Sequence, residues 1–537
     1  MDEILVTYLA LLLIISFLVM VAQLLKISYP IVLVLGGLLL SLVPVLGSIE
    51  IKPELIFVIF LPPILYEAAW ETSWKDFWKW RRIILSYAFI IVIATSCLVA
   101  FVSSSIIPGF SLALGFLLGG IISPPDAVSA TSIMREVDVP KRISAIIEGE
   151  SLLNDASSIV VFRFALTAVA TGSFAFKTAA VSFFVVIFMG ALVGIAIAFV
   201  FYAIHRWLPT TPSIDLVLSF VTPYSMYIVA EHFHFSGVLS VVIGSLFLSQ
   251  QRQTILSPIS RIQGLNVWSI IGFVLNGLVF MLIGLQLPAI VQQLGDTSLW
   301  TAIKYSLIIA AVLIVSRLII ALGTTIFTMF ISRFITTADP NPGFRAPLIL
   351  GWAGMRGVVS LAAALSIPLY VNNHVPFPQR NLILFITFSV ILVTLVLQGL
   401  TLPMVIRLVN LKDPDYKVPQ AEQEIMLQKK LAQFALQQIN KRYKDKLKSN
   451  ALLRAFRQRL ENNLILLENV DRSVSTENGN SKEAVEYEKL RIEIIEEQRK
   501  LLQKTNKKET ISEEVIKKSL LSLDQEEEQL KAQVKLF

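Results

Sequence analysis

Cysteine is almost absent from this chain: Cys97 is the single example among 537 residues. One thiol, set within an apolar run, excludes a disulfide framework or a cysteine-based metal site inside one chain. Histidine is scarce too, with four (His205, His232, His234 and His374) and none in metal-ligand spacing; His232 and His234 read as a surface pair. Charged residues make up 16% of the sequence, against about 25% in a soluble globular protein. There is no nucleotide fingerprint, no metal motif and no nucleophile–histidine–acid arrangement. An enzyme, a resident cofactor and a nucleic-acid partner are therefore not expected.

What the chain has instead is apolar length. Hydrophobic residues are 55% of the sequence and mean hydropathy is +0.69, as in an integral membrane protein. Charge is concentrated late: 25 Lys and Arg and 22 Asp and Glu follow residue 410, leaving 21 and 17 before it. Spanning stretches lie near 4–25, 30–47, 54–70, 83–107, 110–134, 144–171, 177–204, 214–232, 235–250, 267–289, 301–332, 346–370 and 380–409, about thirteen in all. The first follows Asp2 and Glu3 and lacks both a basic n-region and a cleavage site, so it reads as a membrane helix, not a signal peptide.

Basic residues sit in alternate loops. Lys75, Lys79, Arg81 and Arg82 share one, and Arg135, Lys141 and Arg142 another; Arg206, Arg252 with Arg261, and Arg333 with Arg345 follow. The positive-inside bias puts the N-terminus outside and the C-terminus in the cytoplasm, as an odd number of spans also requires.

Polar residues inside the spans carry the chemistry. Gly149-Glu150-Ser151-Leu152-Leu153-Asn154-Asp155 puts two carboxylates, an amide and a hydroxyl into one apolar helix. Glu150 and Asn154, and Ser151 and Asp155, are each four residues apart and so stack on one helical side. Charge at that depth marks an ion or proton path by default. Burial favours the neutral form of a carboxylic acid and a bound cation favours the ionised form, so proton and cation compete for the same oxygen atoms. Asp155 is the expected carrier. Asp126, Ser151 and Glu67 are the other candidate ion- and proton-binding residues, with a monovalent cation expected at Asp155 and Asp126. Oxygen ligands of this kind suit hard monovalent cations.

Two spans are interrupted. Ser123-Pro124-Pro125-Asp126 should break the fifth near Pro124, and Gly351-Trp352-Ala353-Gly354-Met355-Arg356-Gly357 should break the twelfth. Unwound backbone persists in a membrane only when buried in protein or lining a cavity. A pair of such spans in two inverted halves points to a transporter's substrate site. Arg356 requires a partner at that depth. Glu150 is the expected one, with Asn154 bracing the pair, so that these three form the scaffold. Arg163 and Arg317 read as packing or snorkelling residues, and Asn276 as a helix–helix hydrogen bonder.

The Asn154-Asp155 segment resembles the Asn-Asp motif of the monovalent cation/proton antiporters of the sodium/proton exchanger type, in their bacterial branch. Leu61-Pro62-Pro63-Ile64-Leu65-Tyr66-Glu67-Ala68-Ala69 is similar to that family's third core segment, and Gly354-Met355-Arg356-Gly357-Val358-Val359-Ser360 to its glycine-flanked arginine motif. The resemblance covers roughly residues 1–410. It implies an all-α polytopic fold of inverted repeats with two crossing broken helices, a homodimer, and elevator-like alternating access. Dimerisation helices would lie at about 1–70 and 214–289, and core helices at about 83–171 and 301–409. It also implies cation or proton binding at Asp155, with Asp126, Ser151 and Glu67 nearby, and electroneutral exchange. One departure stands out: the family's Thr-Asp-Pro is replaced here by Pro124-Pro125-Asp126-Ala127, without the threonine hydroxyl. Sodium is the favoured ion and lithium a second; potassium/proton exchange in the same fold and, less so, a cation channel remain alternatives.

After residue 410 the chain changes character. Asp413-Pro414 and Val418-Pro419 mark a linker, with helical patterns expected over about 420–470 and 483–535 and a polar loop over about 472–482. The basic run Lys441–Lys448 fits a solvated helix face or contact with anionic lipid. A regulatory helical tail is the expectation.

Overall fold

The computed structural model describes residues 2–42, 53–134, 137, 139–172, 176–295, 297–331, 333–334, 343–372, 375–411, 420–474, 481–506 and 513–534. The linker prolines at 414 and 419, His374 and Arg135 lie outside these residues. The chain forms two units, residues 1–412 and 413–537.

The first unit is helical because an apolar run in a bilayer must satisfy its backbone hydrogen bonds internally. Its elements are α1 (Asp2–Leu25), α2 (Tyr29–Leu40), α3 (Pro53–Glu71), α4 (Trp74–Leu85), α5 (Val92–Ile106), α6 (Leu112–Ile122), α7 (Ala127–Met134), α8 (Lys141–Thr171), α9 (Phe176–Trp207), α10 (Pro212–His232), α11 (Gly237–Ile255), α12 (Pro258–Gln292), α13 (Leu299–Ile331), α14 (Arg345–Trp352), α15 (Val358–Leu365), α16 (Arg380–Val393) and α17 (Gly399–Val409). Helix α4 continues into α5 through a π-helical turn, Ser86–Ile91, and α16 into α17 through another, Thr394–Gln398. Each expected apolar stretch overlaps a helix or a pair of half-helices; in the stretch expected over 30–47 the helix ends at Leu40, and residues 43–47 lie outside those described. Among the described residues, eight helical stretches are long and apolar enough to cross a membrane. The protein is a multi-pass membrane protein, and large apolar side chains such as Leu13, Phe17 and Phe188 are exposed on its surface.

Several boundaries have local causes. Ser111, Thr211, Ser236 and Ser257 each accept a hydrogen bond from a backbone N–H of the first turn that follows, capping α6, α10, α11 and α12. The expected breaks occur: α6 stops at Ile122 and α7 starts at Ala127, while α14 stops at Trp352 and α15 starts at Val358. Pro62 and Pro63, by contrast, lie inside a continuous α3. The basic group Lys75–Arg82, expected in a loop, is instead the helical start of α4, where Arg81 lies over the Trp78 ring at 4.4 Å. One short ribbon, Tyr370–Asn372 against Val375–Pro376, interrupts the all-helical pattern.

Close approaches depend on missing side chains. A Cβ at Gly284 of α12 would strike the Val34 carbonyl of α2, and one at Gly37 of α2 would strike the Met281 carbonyl of α12.

The second unit contains α18 (Gln420–Arg442), α19 (Lys444–Ser449), α20 (Ala451–Val474), α21 (Ser481–Asn506) and α22 (Glu513–Val534). Helix α18 packs on α20 and α21 on α22. Arg499 of α21 meets Asp524 at 2.6 Å and Glu527 at 2.5 Å on α22. The expected polar loop is narrower than its composition suggested, since α20 runs on to Val474 and α21 starts at Ser481; residues 475–480 lie outside those described.

Gly284→Leu is expected to destabilise the first unit by roughly 1–3 kcal/mol through overpacking. The check is a lower melting midpoint in detergent, with Gly264→Leu, where a Cβ meets open space, as the neutral control.

Candidate ion-binding site

The two breaks are hydrogen-bonded directly to each other. The backbone N–H of Asp126 donates to the Met355 carbonyl at 2.7 Å. In return, Nε of Arg356 donates to the Ile122 carbonyl at 2.6 Å. That carbonyl ends α6, where unsatisfied C=O groups and the negative end of the helix dipole both favour a cation. Arg356 also donates through its guanidinium to the Gly354 carbonyl and through its backbone N–H to Thr394 Oγ1, at 3.2 Å for the latter. The glycines here are required by crowding. A Cβ on Gly354 would collide with the Arg317 guanidinium, and one on Gly357 with the Asp126 carboxylate.

Helix α8 secures the first break from the side. Asn154 Nδ2 donates to the Pro125 carbonyl at 2.8 Å, Ser151 Oγ accepts from the Ala127 N–H at 3.1 Å, and Ser158 Oγ donates to the Gly120 carbonyl at 2.6 Å. Positions 151, 154 and 158 form one helical stripe, and Asp155 sits on its flank. Ser123 accepts from Ser96 Oγ at 2.9 Å. The Asp126 carboxylate accepts from the Val128 N–H at 3.1 Å and Ser129 Oγ at 3.0 Å, which makes it the N-cap of α7.

The expected Glu150–Arg356 pair does not form. Glu150 is instead held by Arg317 of α13, through two parallel bonds of 2.8 Å each. Arg317 and Glu150 are 2% and 1% exposed, so this is a fully desolvated pair; the fork geometry suits a carboxylate. Arg317 is therefore neither a snorkelling nor a simple packing residue. Depth was the available signal: Arg317 lies 14 residues from the end of α13, about 21 Å at 1.5 Å per residue, beyond the reach of a side chain to the interface. Arg163 also has a specific partner, Glu231 of α10, whose other oxygen accepts from the Gly237 N–H. Asn276 is buried, and its Oδ1 has no partner among the described residues.

Asp155 differs from all of these. Its side chain is buried, yet no hydrogen bond or ion pair to its carboxyl group forms among the described residues. The carboxylate acting on it electrostatically is that of Asp126. Beside it, Asn154 Oδ1 is buried and has no partner among the described residues. The fourth candidate, Glu67, lies on α3 with its carboxylate against Gly272 of α12. Among the described residues no cluster of His, Cys, Asp and Glu suited to a metal ion is found. The Asp155 and Asp126 carboxyl groups and the Asn154 amide oxygen are ligands of the kind that suits a hard cation, and the carboxylates can also take a proton.

A model of the family described as "Sodium/hydrogen exchanger, transmembrane" matches residues 9–408. The chain belongs to the sodium/hydrogen exchanger family. It is thus a membrane transporter of the cation/proton exchange class and not an enzyme. The chain is similar to a sodium, potassium, lithium and rubidium/H+ antiporter of Bacillus subtilis, with 34% identity over 70% of this chain and 58% of the relative. It is also similar to a low-affinity Na+/H+ antiporter of Synechocystis, with 32% identity over 76% of this chain and 75% of the relative. A solved sodium proton antiporter of Methanocaldococcus jannaschii shares the fold, with TM-score 0.59 and 17% identity over 76% of this chain and all of the other.

Arg317→Met alone leaves Glu150 buried and uncompensated, and is expected to cost roughly 3–5 kcal/mol. The double change Arg317→Met with Glu150→Leu should recover most of that loss. Melting midpoints of the two variants in detergent check it, and equal destabilisation of both would count against the pairing as the cause.

Proposed function

We propose that this transporter exchanges sodium, and secondarily lithium, for protons, one for one, by alternating access. The observation that carries this reading is the isolation of Asp155. Glu150 is paired and the Asp126 carboxylate caps α7, so Asp155 is the carboxyl group near the crossing that no protein group engages among the described residues. Glu150 and Arg317 neutralise each other, while the Arg356 guanidinium donates to the Ile122 and Gly354 carbonyls. A protonated Asp155 and an ionised Asp155 with one monovalent cation carry the same net charge. A charge moved through low dielectric without compensation is costly, so equal charge in the two loaded states supports one-for-one exchange.

Asp155 and Asp126 hold the cation on this reading, and Asn154 Oδ1 is well placed to add a neutral ligand. Ser151, Asn154, Arg356, Ser123, Pro124 and Pro125 keep the broken backbone in position. Glu67, against α12, contributes from the periphery. The protein acts as a homodimer in a plasma membrane, with the N-terminus outside and the tail in the cytoplasm as a regulatory element. The dimerisation helices are about 1–70 and 214–289, and the core helices about 83–171 and 301–409.

A second reading is potassium/proton exchange. The absence of the threonine hydroxyl beside Asp126 and the broad ion range in the name of the Bacillus relative both favour it.

Dequenching of a pH-sensitive dye in acidified proteoliposomes tests both readings. Sodium, lithium and potassium should be added in turn to wild type and Asp155→Asn. Wild type is expected to move protons with sodium, and the variant to lose nearly all of that signal. A variant equal to wild type would remove Asp155 as the carrier, and a response to potassium alone would change the ion. Current through a planar bilayer without a counter-ion would favour a channel.

A further inference from the structure

The last span carries a polar stripe that the ion site does not use. Thr387, Thr394 and Gln398 are seven and then four residues apart along α16 and the π-helical turn that follows, so they share one face. All three are 0% exposed. Thr394 accepts the Arg356 backbone N–H, which joins the stripe to the second break. Thr387 Oγ1 and both polar atoms of the Gln398 amide have no hydrogen-bond partner among the described residues. Ser360 Oγ is in the same condition on α15, which packs against α16.

A glutamine amide offers two donors and an acceptor oxygen with two lone pairs. To bury all of them unused is costly and rare in folded proteins. A one-turn π-helix recurs at functional positions, because its wider ring disturbs the regular backbone ladder. Gln398 ends such a turn. The next residue, Gly399, lies between α2 and α7: a Cβ there would be 2.9 Å from Ile31 Cδ1 and 3.6 Å from Ile133 Cδ1. Helix α7 is the half-helix that Asp126 caps.

We propose that Gln398 is a positioning residue for transport, its amide holding ordered water beside the π-helical turn, with Thr387 extending the same hydrated stripe. Water fits better than a second cation, because the stripe holds only neutral amide and hydroxyl groups and no carboxylate to match a positive charge. Buried water typically makes about three hydrogen bonds to such otherwise unsatisfied groups. Held there, it sets where the turn stands, and with it Thr394 and the Arg356 backbone that donates to Thr394. The inference deepens the exchange reading and rests on it.

The test uses the full chain in proteoliposomes and in detergent, as wild type, Gln398→Leu and the nearly isosteric Thr387→Val. Sodium-driven proton exchange is measured across sodium concentration and pH, alongside the melting midpoint. The expected result for Gln398→Leu is a severalfold fall in maximal rate with a displaced pH profile, and no gain in melting midpoint. Thr387→Val should show the same change to a smaller degree. An amide with no water partner predicts the reverse: its replacement by leucine raises the melting midpoint and leaves rate and pH profile as in wild type, which would overturn the proposal. If Gln398→Leu fails to fold, Thr387→Val decides alone, and an unaltered profile overturns the proposal. If wild type exchanges no cation, the exchange reading fails separately, and the direction of the melting shift still reports on the water.

Discussion

Unwound backbone in the middle of a membrane protein has no water to turn to, and that constraint organises the whole first unit. Between Ser123 and Asp126, and between Ala353 and Gly357, peptide groups leave the helical ladder. Each break answers part of the other's deficit: the Asp126 N–H serves Met355, and the Arg356 side chain serves Ile122. The remainder comes from the flanks. Helix α8 supplies Ser151, Asn154 and Ser158 to the first break, and the π-helical turn before α17 supplies Thr394 to the second. The other π-helical turn is linked to α8, since Ser157 Oγ donates to its Ala88 carbonyl at 2.6 Å. The irregular parts of four spans therefore form one hydrogen-bonded group, and Asp155 lies at its edge.

Much of this was legible in the sequence because it depends on residue type and on spacing along one helix. Spanning runs, the Pro124-Pro125 break, the glycines around Arg356 and the polar face of α8 are all local facts. Which helix meets which face is not local, and there the reading failed. Spacing put Glu150 and Asn154 on one side of α8 but did not reveal that this side divides. Asn154 reaches the first break, while Glu150 reaches Arg317 on α13, 167 residues away. Depth alone marked Arg317 as in need of a partner. Gln398 was also overlooked, because one amide in a span has an ordinary explanation until its surroundings are seen to leave it unbonded.

On the exchange reading, Asp126 has two functions. As the N-cap of α7 it stabilises a half-helix; as a neighbour of Asp155 it shapes the field where cargo would bind. A change in charge at one function is felt at the other, since a protonated cap holds its N–H donors less firmly. Loading of the site and the seating of α7 are then linked through a single carboxylate.

The solitude of Asp155 has a consequence for leakage. On the exchange reading, a site that has released its cargo leaves an ionised carboxylate with no protein group to answer it. That state carries one negative charge more than either loaded state, and the low-dielectric barrier opposes its passage from one face to the other. Had a lysine or arginine been placed beside Asp155, its charge would offset that difference and the empty site could reorient without cargo. On that reading, leaving the position unanswered is a lock against futile cycling, because the return journey is open only to a passenger.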